Sequence, residues 1–246
     1  MLKLIIDREI ADQFYSLKFL FVFLIALVLV VSSLLVGANN YRSQKAGEEM
    51  AAKANREYLA KLETWDAIGA AGIRLSRPIP PFSVLVTGLN NVAGREAHLQ
   101  WKNTVSFSKS FLDESPFYAL FGEFDLHFIF KIILSLVALL LTYDTVCGDR
   151  ERGLLQLTVS HPVPRTSLIL GKLLGSYLGL AISLALPLLI GFTLLSLLYL
   201  ECLATIADWG RVLLFLGSAF LYLFFFCCLG VMVSSLCRRP ATAFVV

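Results

Sequence analysis

Tyr143-Asp144-Thr145-Val146-Cys147-Gly148-Asp149-Arg150-Glu151-Arg152-Gly153-Leu154-Leu155-Gln156-Leu157 is a compact polar island between two long apolar runs. The flanking runs, about 127–143 and 168–200, are each apolar enough to stay in a bilayer. The island must therefore sit at a membrane face and offer its charges to a soluble partner. Acids are interleaved with the arginines, which charge topology alone does not require. Gly153 then opens an apolar stretch, Leu154 to Val159, that reads as a short helix or elbow laid against the membrane.

Composition points the same way. Of 246 residues, 57% are hydrophobic and only 16% are charged, against roughly 25% in ordinary soluble domains. The mean hydropathy is +0.75, so the chain reads as an all-α integral membrane protein. The net charge of +3 gives no sign of a nucleic-acid partner. The five cysteines are scattered, and the sequence holds no CxxC pair or His/Cys cluster that would make a metal site or a disulfide framework.

Outward from the island the chain divides as follows. Residues 1–16 carry Leu2, Ile6, Ile10 and Phe14 at steps of four, which predicts an interfacial amphipathic helix. Span one is 17–37, too long for a signal-peptide core and set behind a mixed-charge leader. A polar insert occupies 38–126: it is helical over Gln44 to Thr64 and broken at Arg77-Pro78-Ile79-Pro80-Pro81, with Phe82 to Val86 read as a strand or extended edge. Mostly helical, the insert is expected to form a small packed cap. Span two is 127–143, the island loop 144–167, span three 168–200, an outer loop 201–210, and span four 211–236. Residues 240–246 read as the start of a fifth span, cut short.

Span three would reach about 50 Å as helix, against a bilayer core near 30 Å, so part of it must protrude, tilt or bend, with Pro187 offering a kink. Gly171, Gly175 and Gly179 recur every four residues near its start. Such a small-residue stripe lets another helix approach closely. Lys and Arg of the short loops, at 150, 152, 165, 172, 238 and 239, place those loops in the cytoplasm. The N-terminus is then inside and the 38–126 insert outside.

The sequence contains no P-loop GxxxxGK[ST], GxSxG, HExxH or kinase set. Spans three and four carry no Asp, Glu, Lys or Arg at mid-depth. Ion-coupled transporters need buried ionisable groups, so the pattern argues for an energy source outside the chain. His98 and His127 are isolated and read as surface or interfacial residues, and Ser160-His161 is a loop dipeptide without the spacing of a hydrolase motif.

The run Asp149-Arg150-Glu151-Arg152-Gly153-Leu154-Leu155, with Leu157, Ser160, Pro162, Arg165 and Gly171-Lys172, resembles the permease subunits of ABC transporters of the ABC-2 exporter type. Leu154 stands where the family usually has Thr, and Thr158-Val159 replaces part of a Leu run. The leader with Glu9 and the Pro80-Pro81-Phe82-Ser83-Val84 segment look like one subgroup with a large loop between spans one and two. The resemblance implies a permease without ATPase motifs of its own, and hence no enzyme. It implies no cofactor in this chain, ATP being bound by a separate ABC ATPase subunit docked under the 144–167 loop and the N-terminal helix. It assigns ATPase coupling to Glu9, Asp149, Arg150, Glu151, Arg152 and Gly153, and a second permease copy or homologous permease as the other half. The setting would be a bacterial-type cytoplasmic membrane. The family usually has six spans, so a chain with four and the opening of a fifth is expected to be a fragment or a truncated copy. The competing expectation is a membrane sensor or assembly protein with a ligand- or partner-binding insert, although an inner loop of about 24 residues leaves no room for an output domain.

Overall fold

A computed structural model describes residues 2–62, 64, 72–76, 78–86, 88, 96–99, 106–107, 124–155, 160, 164–198 and 206–245. Among the described residues, four helices are long and apolar enough to cross a membrane. In chain order the helices are α1 (Leu2–Phe14), α2 (Leu17–Ala60), α3, α4 (Cys147–Glu151), α5 (Arg165–Leu198), α6 (Ile206–Leu236) and α7 (Pro240–Val245). Helix α3 is built from three consecutive pieces, Leu126–Phe128, a π-helical stretch Ile129–Leu134, and Ser135–Thr142.

Two compact units result. The first holds residues 1–32, 128–194 and 209–246. Its core is a set of four-residue stripes, the spacing that keeps one face of a helix turned inward. Val22, Ala26 and Val30 form the stripe on α2; Leu180, Leu184 and Leu188 that on α5; Ala219, Leu223, Cys227 and Val231 that on α6. The opposite faces are also apolar and are exposed: Phe21, Leu24 and Val28 on α2, Leu136 on α3, Leu189 on α5, Leu214, Leu221 and Phe225 on α6. A surface so apolar all round suits lipid, not water. Helix α6 comes close to α3 at Gly230, where an added Cβ would run into Thr142. The π stretch widens α3 and frees carbonyls. The Lys131 carbonyl accepts from Ser135 Oγ at 2.8 Å and from the Tyr222 hydroxyl at 3.1 Å, so that acceptor is not stranded.

The second unit holds 33–127 and 195–208. In it α2 continues without a break through the expected end of span one at Gly37, so that residues 38–60 prolong the same 44-residue helix. Beyond this, three short strands, β1 (Ile73–Ser76), β2 (Glu96–Leu99) and β3 (Ser106–Phe107), form an antiparallel sheet in the order β1-β2-β3, with Ile73 opposite Leu99 and Ala97 opposite Phe107. These strands add β structure to an insert expected to be mostly helical. The expected extended segment Phe82 to Val86 is corrected: Pro81–Val84 is a single 3-10 turn. Pro81 at its first position has its φ fixed for helix and no N–H to satisfy. Ser83 N donates to Pro80 O at 3.0 Å and Leu85 N to Phe82 O at 3.0 Å. Gly37 gives this turn its seat, since a Cβ there would collide with the Val84 carbonyl.

Two further boundaries shift. Helix α5 starts at Arg165 and runs through Pro187 to Leu198 without a break. Helix α6 begins at Ile206, inside the segment expected as a loop. The elbow expected over 154–159 falls largely outside the described residues.

Candidate functional site

The polar island folds into a turn followed by a five-residue helix, α4. Thr145 N donates to Thr142 O at 3.3 Å and Gly148 N to Asp144 O at 2.8 Å, carrying the chain out of α3. Gly153 has φ +74, and Arg152 and Gly153 close the last turn on the Gly148 and Arg150 carbonyls. Gly153 thus ends the helix in the left-handed conformation that glycine adopts without steric cost.

So short a helix does not hold itself together, and α4 is pinned from two sides. On α6, buried Ser234 Oγ accepts from Val146 N at 3.0 Å and Cys147 N at 3.1 Å, capping α4 across 88 and 87 residues of sequence. Arg150 reaches the Cys237 carbonyl at 3.0 Å. On α5, Lys172 Nζ donates to Thr145 O at 2.7 Å and pairs with Asp149 Oδ2 at 2.5 Å and Glu9 Oε2 at 3.4 Å. The Lys172 side chain is only 8% exposed and that of Glu9 15%. Burial pushes the Glu9 carboxyl above its usual range. Lys172 opposes that shift, and the charges of Asp149 and Asp12 add to it. A second pair, Lys18 with Asp144, lies beside the first, and Lys18 also stands 5.0 Å over the Tyr143 ring. Phe244 of α7 packs edge-on against that ring at 5.6 Å.

Helix α1 is drawn into this cluster by the glycine stripe. An added Cβ at Gly171 would lie 2.7 Å from Ile5 Cγ2, one at Gly175 2.6 Å from Glu9 Cβ, and one at Gly179 would meet the Gln13 amide. The pairs 5–171, 9–175 and 13–179 advance together, so α1 runs parallel to the first turns of α5 and lays one i, i+4 row into the glycine groove. That row, Ile5-Glu9-Gln13, differs from the Leu2-Ile6-Ile10-Phe14 row that hydrophobic spacing selects. Ile6 and Ile10 are half-buried and Phe14 is exposed. Ser16 then caps α2, its Oγ accepting from Phe19 N at 3.2 Å.

The coupling residues expected from sequence therefore divide. Glu9 and Asp149 are turned inward onto Lys172, and Arg150 is tied to α6. Glu151 and Arg152 are exposed, and their side chains make no ion pair or hydrogen bond with the described residues. Lys172, Ser234 and Thr145 are the site residues that sequence reasoning missed. Only Lys172 carried a signal, as the charge inside an otherwise apolar span. Among the described residues no three His, Cys, Asp or Glu side chains come together as a metal site.

Four helices able to span a membrane, with a charged helical elbow braced between two of them, define a multi-pass membrane protein. The chain belongs to the ABC-2 family transporter protein family, whose model matches residues 4–246. It is similar to a probable ABC transporter permease protein NosY of Pseudomonas aeruginosa, 35% identical over 115 residues that cover 45% of this chain and 40% of that protein. It is also similar to a probable NosY permease of Stutzerimonas stutzeri, 42% identical over 60 residues, 24% of this chain and 20% of that protein. The chain thus spans less than half the length of these curated relatives. No solved structure matches it.

Proposed function

We propose that this chain is the transmembrane permease subunit of an ATP-driven ABC export system, energised by a separate ATPase subunit. The observation that carries this reading is the pairing of family membership over residues 4–246 with an outward-facing Glu151 and Arg152 on a helix whose other side is fixed. The chain itself is no enzyme in this reading: ATP is bound and hydrolysed by the partner, which docks on the exposed side of α4 near α1. A second permease copy or a homologous permease supplies the other half of the pathway. The basic residues around α4 and after α6 support a cytoplasmic N-terminus, α1 at the cytoplasmic face of a bacterial-type inner membrane, and the sheet-bearing insert outside. ATP-driven closure of the partner does work on the permease only through contacts that differ between its two conformations, and α4 is the element placed to make them.

The test is to co-express the chain with a P-loop ATPase encoded beside it and to purify the pair in lipid nanodiscs. Hydrolysis by the ATPase should rise above that of the ATPase alone. An ATPase that neither co-purifies nor responds contradicts the reading.

A further inference from the structure

We propose that Lys172 is a positioning residue that joins α1, α4 and the start of α5 into one transmission element, so that a displacement of α4 carries α1 and α5 with it; this rests on the reading of the chain as an ATPase-driven permease. An ammonium group has three N–H donors and no acceptor. Lys172 aims at three oxygens, each on a different piece of chain: the Thr145 carbonyl in the turn before α4, Asp149 on α4, and Glu9 on α1. Among the described residues the other fastenings of α4, through Ser234 and Arg150, run to α6 and its end. The Lys172 contact is the one that reaches α1.

Its charge matters as much as its reach. Glu9 and Asp149 lie close enough for the charge of Asp149 to act on Glu9. Without the ammonium these two carboxylates repel across a site from which water is largely excluded, and α1 is pushed from α4. With it, they are drawn to one point. The glycine groove sets how near α1 approaches α5; Lys172 sets how α1 is tied to α4. A neutral side chain of similar length leaves the groove intact and removes the tie, which separates the two contributions.

The experiment places spin labels, carried by unnatural amino acids, at the exposed positions Arg8 and Arg152 of the full chain in nanodiscs and reads their distance distribution. The otherwise unaltered chain should give one narrow distribution. Lys172→Gln should broaden it, and Lys172→Arg, which keeps the charge, should narrow it again. In unlabelled chains with the ATPase present, Lys172→Gln should still co-purify with it, because Glu151 and Arg152 are untouched there, but stimulated hydrolysis should fall by about 5-fold or more, the lower end of typical coupling effects, and recover with Arg. A narrow distribution in Lys172→Gln overturns the proposal, as does broadening with stimulation unchanged, which would make Lys172 a fold contact alone. No recovery with Arg overturns charge as the cause. Should Lys172→Gln fail to insert, Glu9→Leu, which offers no acceptor, cuts only the α1 branch while Lys172 keeps Asp149 and Thr145; an unbroadened distribution there overturns the proposal equally. If no ATPase binds even the unaltered chain, the permease reading fails, and the distance measurement still decides whether the tie exists.

Discussion

The two sides of α4 are made of the same residue types and do opposite things. On the inner side, Asp149 meets Lys172, largely out of water, with Glu9 as a third charge. On the outer side, the Glu151 and Arg152 side chains stand in the open, with no partner among the described residues. A buried charge cluster is sensitive to losing one member, because what remains is an uncompensated charge in a poorly solvated place. An exposed charge contributes little to the fold and remains available for binding another molecule. The inner side therefore fixes where α4 stands, and the outer side offers something to grip.

The sharpest way to break this contrast is Lys172→Ala. It strands two carboxylates and a carbonyl, and should destabilise the chain by about 3 kcal/mol, the low end of the range for breaking a buried pair, since Asp149 retains some water contact. Thermal unfolding in detergent checks this; a melting temperature like that of the parent would mean that the inner charges are solvated after all.

Gly175→Leu should come next. Its Cβ would lie 2.6 Å from Glu9 Cβ and 3.4 Å from the Ile6 carbonyl, so α1 must move away from α5. Overpacking of this kind costs about 1–3 kcal/mol, concentrated on one helix. Limited proteolysis should cut within residues 2–14 of the variant and spare the parent. Equal resistance would show that the groove tolerates a side chain.

A smaller effect is the pH dependence of the inner side. Burial raises the Glu9 carboxyl above the ordinary value of 4.5, against the pull of Lys172 and with Asp149 and Asp12 adding to the rise. The folded state therefore holds this proton more tightly than the unfolded chain does. Its contribution to stability is fully present below about pH 4.5 and is lost as pH rises through the raised value, with a slope of at most about 1.4 kcal/mol per pH unit. Glu9→Gln should remove that slope. A variant that keeps the parent's pH profile would place the titration elsewhere.

Much of the architecture was legible because lipid imposes simple rules. Unbroken apolar runs announced the four spanning helices, and the glycine spacing announced a close approach. What lay hidden depended on pairings distant in sequence. Glu9 and Lys172 are 163 residues apart, and no local pattern links them. A helical wheel sends apolar residues inward, yet the docked row of α1 is Ile5-Glu9-Gln13, because the groove presents Lys172 beside its glycines. The division of the island into inner and outer members follows from the phase of a five-residue helix, set by where Gly153 stops it and where Ser234 catches its start. Helix α2 runs on past Gly37, the glycine there making room for the turn at Val84. The strands hold only two to four residues each, too few for a period-two pattern to stand out from the sequence.

The central claim, that the outer side of α4 grips the ATPase while the inner side only positions it, is tested most directly by measuring ATPase co-purification for two variants in parallel. Glu151→Ala with Arg152→Ala should lose the partner while keeping the parent's melting temperature, and Glu9→Gln should keep the partner. Undiminished ATPase binding by the outer double variant, or its loss on Glu9→Gln alone, would contradict the account.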